Sequence, residues 1–398
     1  MMLQMQSKRQ KDFNMRNLFK INGFTAAERT AAYTGCPGKV FFLTAEFIAK
    51  YYRLGQLPEK HLATVTQFAA KLQSDPETRA LLWHFYDAYC VKNLPVADFP
   101  EILEPFGLDS GMIYLLVQLA ILPTFEERAI REGFPLKYAQ AAMERVNTTT
   151  VFFAQKFNGA FGYLPSSLGF LRNFKNIACF RIGRFDFDMA QYNDLLPEIY
   201  SDGKSIIALC QDGWMFDARG ERTVDETAAV QKTALIRSGS TVTGIPVNKL
   251  TGYAEKESIT LDLAVWEKKV GAGDWTMHFH IPGGGGMTPE VCAASFAEAK
   301  EFYAAYFPDK PIKLIWSNSW FFNPAYKEYL PESNIAKLSL SGFLFPVSST
   351  GKDGLKFVFG REDDNFADYE QKTSLQRAVL RCQKERGFLR RTGWFILP

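Results

Sequence analysis

Two different spacings of apolar residues divide the chain. Up to about residue 160, apolar residues recur at i, i+3 and i+4, which predicts amphipathic helices. These helices are predicted at 43–54, 61–72, 77–90, 112–122, 124–131 and 136–146. Ser74-Asp75-Pro76 has the composition of a helix start. From about residue 176 the period becomes two, which is typical of strands with one buried face. We therefore predict a domain boundary between residues 150 and 170.

This boundary gives three predicted segments. Residues 1–20 are polar and basic and are predicted to be a flexible lead-in, residues 21–160 a helical domain, and residues 161–398 a domain built on a β-sheet. Strands or hairpins are predicted at 177–188, 205–216, 259–265, 312–319, 338–347, 355–359 and 394–397, with a last helix at 373–386. Helices followed by a sheet with further helices indicate an α+β fold.

A run of four glycines interrupts the second domain. In the preceding strand, Thr276, His278 and His280 alternate with apolar residues, so the two histidines face the same side. After the glycines, Thr288 is placed to cap a helix that begins at Pro289. Such a glycine run lets backbone N–H groups approach a phosphate at the positive end of a helix. A tight strand-to-helix turn without a ligand has the same pattern, so this alternative stays open.

The composition excludes several classes of partner. The 46 basic and 43 acidic residues leave a net charge of +3, and no basic stripe with interleaved aromatics supports a nucleic-acid partner. The most apolar stretch, residues 112–122, is too short to cross a bilayer, and no membrane contact is predicted. Six isolated cysteines, with no apolar leader, favour reduced thiols in a cytoplasmic protein and argue against a zinc site made of cysteine pairs.

Four short blocks resemble one known family. They are F-R-I-G-R-F-D-F at 180–187, H-I-P-G-G-G-G-M-T-P-E-V-C-A-A-S-F at 280–296, S-N-S-W at 317–320 and L-P-E-S-N-I at 330–335. Together they resemble a bacterial acyltransferase family with a helical N-acyltransferase N-terminal domain and a GNAT-like C-terminal domain. The resemblance implies that 161–398 is a GNAT-like mixed sheet with flanking helices. It also implies transfer of an acyl group, in the first place acetyl, from acetyl-CoA or another acyl-CoA to a primary amine of a small molecule.

The resemblance also implies where acyl-CoA binds. It would lie between two splayed neighbouring strands, 276–281 and 312–319, with its pyrophosphate at the helix that follows. The predicted cofactor-binding residues are His278, Ile281, Gly283, Gly284, Gly285, Gly286, Met287 and Thr288. One departure concerns the start of the loop, where the usual family pattern has Gln or Arg and this chain has Ile281 and Pro282.

Catalytic candidates lie at the strand ends. His280 is predicted to be the general base because its ordinary pKa suits proton transfer near neutral pH. Ser319 is predicted to assist the departing thiolate, and Tyr326 is a candidate for the acid role that tyrosine often plays in GNAT enzymes. The predicted substrate-binding residues are Ser317, Asn318, Trp320, Ser333 and Asn334, of which Ser333 and Asn334 could equally cap a helix.

Two other functions remain open. A protein with this fold could bind coenzyme A or another ligand without catalysis. A metal-dependent hydrolase could use His278 and His280, although a metal site needs a third ligand, and no cluster that would supply one follows in the sequence. We expect no metal. The acceptor and the oligomeric state are left open.

Overall fold

The computed structural model describes residues 18–96, 98–176 and 179–398. Most of the predicted lead-in, residues 1–17, and the first two residues of the strand predicted at 177–188 lie outside the described residues. The described residues form two compact units: those up to 181 together with 282–284, and residues 182–281 together with 285–398. The boundary between predicted domains, at 160, stays a prediction.

The first unit is helical, as the apolar spacing predicts. Its helices are α1 (Leu18–Ile21), α2 (Ala26–Gly35), α3 (Ala45–Leu54), α4 (Leu62–Ser74), α5 (Pro76–Tyr86), α6 (Ser110–Leu119), α7 (Pro123–Glu132), α8 (Leu136–Met143), α9 (Arg145–Lys156) and α10 (Leu168–Asn176). Asp75 caps α5 by accepting a hydrogen bond from the Thr78 N–H at 2.8 Å, and Pro76 occupies the first turn. Every residue of α6 is buried, so the most apolar stretch is a core helix.

After these helices the chain forms a six-stranded sheet in the order β1-β2-β12-β13-β15-β14. Its strands are β1 (Phe180–Ile182), β2 (Phe185–Gln191), β12 (Trp275–His280), β13 (Ile312–Ser319), β14 (Phe343–Pro346) and β15 (Thr392–Ile396). Strands β12 and β13 are parallel, whereas β2 with β12, β13 with β15, and β14 with β15 are antiparallel. The fold is therefore α+β, as predicted.

Three small antiparallel sheets occupy the chain between β2 and β12. They have the orders β11-β3-β4, β6-β5-β7 and β10-β9-β8. Their strands are β3 (Glu198–Ser201), β4 (Ile206–Leu209), β5 (Met215–Asp217), β6 (Arg222–Thr223), β7 (Ala229–Lys232), β8 (Ile236–Ser238), β9 (Thr241–Gly244), β10 (Ile259–Asp262) and β11 (Glu267–Lys268). The hairpin predicted at 205–216 is wrong, because β4 pairs with β3 and β5 pairs with β6 and β7.

Helices of the second unit follow the glycine run. They are α11 (Pro289–Tyr306), α12 (Tyr326–Tyr329), α13 (Asn334–Leu340), α14 (Asp353–Phe359) and α15 (Ser374–Arg386). The strand predicted at 355–359 is wrong, because Leu355, Val358 and Phe359 at i, i+3 and i+4 pack into one apolar cluster from a helix. The strand predicted at 338–347 begins only at Phe343, after α13.

Strand β12 has one apolar and one polar face. Met277 and Phe279 are fully buried, and the Phe279 ring lies 5.1 Å from the ring of Phe296 on α11. Because side chains alternate along a strand, His278 and His280 project from the opposite face. In the part of the chain that the structure describes, no helix combines the length and the apolar character needed to span a bilayer.

Candidate active site

The two parallel strands at the centre of the sheet separate before they end. Residues of β12 and β13 pair from Trp275 with Ile312 as far as His278 with Trp316. Beyond that point β12 stays paired with β2 as far as His280, and β13 stays paired with β15 as far as Ser319. Each strand thus keeps its outer partner and loses its inner one. We call the space between these unpaired carboxyl ends of β12 and β13 the cleft.

His280 lies at the end of β12 and contacts a carboxylate on β2. Its Nε2 lies 2.8 Å from Asp188 Oδ2, and His278 Nδ1 lies 3.6 Å from Asp188 Oδ1. In the strand register, Asp188 is directly opposite His278, so its contact with His280 is diagonal. One carboxylate therefore holds two imidazole rings beside the cleft.

Burial and hydrogen bonding act in opposite directions on this cluster. Burial raises the pKa of Asp188, but the adjacent His278 and His280 rings outweigh it and hold the pKa well below the usual range for Asp. Burial lowers the pKa of His278, against the opposing effect of Asp188. Asp188 is therefore an anion at neutral pH, and His278 favours its neutral form.

Trp316 supports His278 from the other side. The His278 ring stacks on the Trp316 indole with centroids 4.2 Å apart. The Trp316 Nε1–H donates a hydrogen bond to Thr276 Oγ1 at 3.0 Å, and the Thr276 hydroxyl donates to the Ala190 carbonyl at 2.9 Å. These contacts fix His278 between Asp188 and Trp316, which suits an orienting role for this residue.

The glycine loop connects β12 to the positive end of α11. Gly284 and Gly285 have φ angles of 75° and 69°, a conformation that favours glycine. The Thr288 hydroxyl accepts a hydrogen bond from the Val291 N–H at 3.4 Å, and Pro289 begins the helix, as predicted. The first N–H groups of an 18-residue helix and their aligned peptide dipoles lie directly after the glycines.

Arg184 brings a positive charge to this loop. Its side chain extends from the turn between β1 and β2, and its Nε–H donates to the Gly286 carbonyl at 3.1 Å. A Cβ added at Gly285 would lie 3.5 Å from Arg184 Nε. A guanidinium thus adjoins the loop, although the loop itself begins with Ile281 and Pro282.

Comparison with known proteins supports the fold. Residues 179–395, more than half of the chain, match the GNAT-like C-terminal domain. The chain belongs to this family. No curated protein matches the chain.

Solved acyltransferase structures share the fold of the GNAT-like chain. One is a variant acyltransferase in complex with octanoyl-CoA, with 17% identity and a TM-score of 0.62. Another holds decanoyl-CoA and teicoplanin, with 18% identity and a TM-score of 0.61. Each comparison covers 97% of this chain and 100% of the other. The family and fold implied by the sequence resemblance are confirmed.

The predicted residues of β13 lie on both faces of the GNAT-like sheet. Alternation places Asn318 on the face of His278 and His280, and Ser317 and Ser319 on the face toward α11. Ser317 is buried, and Ser319 Oγ accepts from the Phe321 N–H at 3.2 Å. Trp320, also buried, packs in a separate apolar cluster. Ser319 and Asn318 thus border the cleft, whereas Trp320 does not.

Three other predicted positions, Tyr326, Ser333 and Asn334, have structural roles in the domain. Tyr326 is fully buried in the cluster of Trp320 and Leu355, and burial raises its pKa well above the ordinary value. Its hydroxyl has no hydrogen-bond partner among the described residues. Ser333 accepts from the Ala336 N–H at 3.1 Å and caps α13, of which Asn334 is the first residue. Their predicted roles in catalysis and substrate binding stay predictions.

The histidine cluster has the donor set of a metal site. One possible ligand atom each from Asp188, His278 and His280 lies within 4.8 Å of the other two. Two imidazole nitrogens and one carboxylate oxygen suit Zn²⁺ or Fe²⁺. The third ligand is not evident from the sequence alone, because Asp188 is 90 residues away from His278 in the chain and joins it only through strand pairing.

Sequence reasoning missed two residues that the fold brings to the site. Asp188 was visible only as a polar position on an alternating strand, and Arg184 only as a charge in the block 180–187. Charged residues in such a pattern ordinarily form ion pairs at the surface. The pairing of β2 with β12 directs Asp188 to the histidines instead, and the β1–β2 turn brings Arg184 to Gly286.

Proposed function

We propose that the protein is an acyl-CoA-dependent N-acyltransferase that moves an acyl group, in the first instance acetyl, to the primary amine of a small molecule. The observation that carries this proposal is the separation of β12 from β13 after His278 and Trp316. The cleft that results has the His280–Asp188 pair on one strand end and a glycine loop with a helix N-terminus directly after it.

Acyl-CoA would bind with its pantetheine arm between the separated strands. The pyrophosphate would accept hydrogen bonds from backbone N–H groups of Gly283 to Thr288, at the positive end of α11. Arg184 would contribute a polar, positively charged group beside the loop, where the usual family loop begins with its own Gln or Arg, because its guanidinium is already held against Gly286. Ile281 and Met287, on either side of the glycines, would contact the cofactor through their backbone groups.

His280 would act as the general base. Its neutral ring would take a proton from the acceptor ammonium, and the free amine would attack the thioester carbonyl carbon. A C–N bond forms, and collapse of the tetrahedral intermediate breaks the C–S bond. The nitrogen loses its second proton in this collapse, and the departing thiolate takes up one proton to become the coenzyme A thiol. Asp188 would orient the His280 ring and stabilise the imidazolium. The Ser319 hydroxyl accepts a hydrogen bond from the Phe321 N–H. Its own O–H would therefore donate a hydrogen bond to the departing thiolate.

Comparison with the solved structures suggests which acyl groups and which acceptor class the reaction would use. Acetyl is one candidate, and octanoyl and decanoyl are the others, because structures of the same fold hold octanoyl-CoA and decanoyl-CoA. The structures with teicoplanin and with 10C-teicoplanin support a small-molecule acceptor. We propose that the reaction takes place in the cytoplasm and involves neither nucleic acid nor a membrane.

Calorimetric titration with coenzyme A and a thiol-release assay test the proposal together. The assay would compare acetyl-, octanoyl- and decanoyl-CoA, each with a panel of primary amines, and mass spectrometry would identify the acylated product. Coenzyme A binding with amine-dependent thiol release supports the enzyme. Binding without release would indicate the non-catalytic alternative, and absence of binding would refute both.

A metal-dependent hydrolase is the second candidate function, and the Asp188–His278–His280 cluster favours it. Its residues would hold the ion, which would activate a water molecule. Metal analysis of protein purified without chelator, followed by Zn²⁺ titration of wild type and Asp188→Asn, tests it. A stoichiometric ion that Asp188→Asn loses would support this function over proton transfer by His280.

A further inference from the structure

Strand β15 begins with a buried threonine whose hydroxyl is unsatisfied. The Thr392 side chain is 0% exposed, and its Oγ1 has no hydrogen-bond partner among the described residues. A buried hydroxyl without a partner destabilises a protein, because it loses its hydrogen bonds to water and gains none in return. Valine has nearly the same shape without this cost. A threonine at this position therefore points to a hydrogen bond that forms when the protein is at work.

Thr392 lies beside the residue that ends β13. It is directly opposite Ser319 in the strand register, and directly opposite residues of antiparallel strands share a face of the sheet, with Cβ atoms about 4.5–5.5 Å apart. Trp394 lies on the same face, since its ring stacks on Phe296 of α11 with centroids 5.7 Å apart. Thr392 is thus one strand farther from the cleft than Ser319, or about 5 Å.

The other neighbours of Thr392 are apolar. Its Cγ2 would lie 3.2 Å from a Cβ added at Gly252, so the methyl group packs closely on this glycine. On the β14 side Thr392 is opposite Pro346, which has no N–H to donate. A β-branched side chain is also restricted in χ1, so the packed methyl group limits where the hydroxyl can turn. Among these strand neighbours, Ser319 offers the hydroxyl group.

The Ser319 hydroxyl has unused hydrogen-bonding capacity. A serine hydroxyl can donate one hydrogen bond and accept two. Ser319 Oγ accepts one from the Phe321 N–H at 3.2 Å, which leaves its own proton and one lone pair. Because Ser319 lies beyond Trp316, where the pairing with β12 ends, it borders the cleft. Ser319 can therefore donate into the cleft and accept from Thr392 at the same time.

We propose that Ser319 and Thr392 form a hydroxyl pair that stabilises the sulfur of coenzyme A as the thioester breaks. The inference rests on the proposed N-acyltransferase function and adds Thr392 to it as a positioning residue. When the C–S bond breaks, its electron pair goes to the sulfur. Ser319 donates a hydrogen bond to this thiolate, and Thr392 donates one to Ser319 Oγ, which strengthens the Ser319 donor. Neither hydroxyl loses its proton, and the thiolate takes its proton from solvent.

An unsatisfied donor suits this role. Thr392 Oγ1 has no hydrogen bond to another described residue that it would have to give up. Its bond to Ser319 forms as negative charge develops on the sulfur, so it stabilises the transition state more than the bound substrate. The buried hydroxyl therefore lowers the barrier at the expense of the stability of the free protein.

Thr392→Val removes the hydroxyl and preserves the shape of the side chain. With the acyl-CoA that wild type uses best, we expect kcat to be about threefold to tenfold lower, because one hydrogen bond in the transition state is lost. The melting temperature should be unchanged or higher, since a buried unsatisfied hydroxyl is gone. Thr392→Ser, which keeps a hydroxyl, should retain most of the wild-type kcat.

Thr233→Val is the matched control. Thr233 is also buried, but its hydroxyl donates to the Gln211 carbonyl at 2.7 Å. This variant should therefore lose stability and keep its kcat. If Thr392→Val behaved in the same way, with a lower melting temperature and wild-type kcat, its hydroxyl would have a purely structural partner such as a buried water molecule. That result would overturn the hydroxyl pair and leave the proposed function standing.

A double-mutant cycle tests whether Thr392 acts through Ser319. Ser319→Ala alone should lower kcat, and Thr392→Val should add little to that loss in the Ser319→Ala background. Such non-additive losses would support the hydroxyl pair. Losses that multiply independently would show that Thr392 does not act on Ser319, and they would overturn the pair without affecting the proposed function.

Ligand binding tests the hydroxyl pair without turnover. At pH 9, where a thiol is partly ionised, wild type should bind coenzyme A about twofold to fivefold more tightly than desulfo-coenzyme A, which lacks the sulfur. Thr392→Val and Ser319→Ala should reduce this preference, and Thr233→Val should retain it. That result would support the pair even if no acyl transfer were detected. Equal affinity of wild type for the two ligands, or binding of neither, would overturn it.

Discussion

Asp188 and His280 meet diagonally across the antiparallel strands β2 and β12, with Oδ2 and Nε2 2.8 Å apart. The position directly opposite Asp188 belongs to His278, and His280 lies opposite Asp186. This offset allows one carboxylate to contact both histidines. It also brings the second ring to the strand end, where β12 and β13 are no longer paired. The pairing of β2 with β12 thus holds His280 at the point where the pairing of β12 with β13 has ended.

Replacement of His280 by alanine tests the proposed base. Turnover of His280→Ala is expected to fall roughly 10²- to 10⁴-fold, because general-base catalysis contributes about that much. Coenzyme A affinity should change little, since the phosphate contacts lie in the loop that follows. His278→Ala is the comparison and should lose less activity, because we propose that His278 orients the site and does not transfer the proton. Equal activity of His280→Ala and wild type would remove His280 from the mechanism.

Replacement of Asp188 by asparagine tests the positioning role of the carboxylate. Asp188→Asn preserves the shape of the side chain but removes the charge that stabilises the imidazolium. We expect kcat to fall about tenfold or more, with little change in the acceptor KM or in coenzyme A affinity. A purely structural residue would lower the melting temperature and alter binding as well. A variant with unchanged kcat would show that the contact has no part in catalysis.

Valine at Gly285 tests the phosphate site. Gly285 has a φ of 69°, so a side chain would strain the loop by about 1–2 kcal/mol, and its Cβ would be in contact with Arg184. We expect calorimetry to show at least about a tenfold loss of coenzyme A affinity. Gly239→Val is the matched control, because Gly239 has a φ of 58° with open space around it, in the turn between β8 and β9. Equal affinity of both variants would place coenzyme A elsewhere.

Replacement of Arg184 by glutamine tests whether its positive charge, beside a loop that begins with Ile281 and Pro282, contributes to coenzyme A binding. In Arg184→Gln the dissociation constant for coenzyme A should rise about threefold to tenfold at low salt, because one charge-assisted contact to phosphate is lost. The difference from wild type should shrink at high ionic strength. Arg381→Gln, which removes a charge from the exposed face of α15, is the control and should bind as wild type does. A salt-independent difference would argue against a phosphate contact.

The local parts of this site follow from the sequence, whereas the long-range parts do not. The glycine run, the Thr288 cap and the shared face of His278 and His280 depend on residues within a few positions of one another, so spacing predicts them. Asp188 joins the site through the pairing of strands that three intervening small sheets separate in sequence. The segment 355–359 was wrongly predicted as a strand because a short apolar run does not distinguish a strand from a buried helix turn.

His84 predicts a pH dependence of stability in the helical unit. Its ring packs against Phe24 and Phe19, with centroids 5.0 and 5.8 Å away, and burial lowers its pKa from the ordinary value. Below pH about 6.5 the unfolded chain therefore binds a proton that folded His84 resists, so His84 makes stability fall as pH decreases from there toward its lowered pKa. Above that pH its contribution is constant.

His84→Phe keeps an aromatic ring in this cluster and removes the titration. Urea unfolding of wild type and His84→Phe, followed by far-UV circular dichroism at pH 8, 6.5 and 5.5, measures the effect. Between pH 8 and 6.5 the difference in unfolding midpoint between the two proteins should stay nearly constant. Between pH 6.5 and 5.5 the wild-type midpoint should decrease more than that of His84→Phe, because only wild type has the lowered histidine pKa. Parallel decreases in both proteins would show that other groups cause the acid sensitivity.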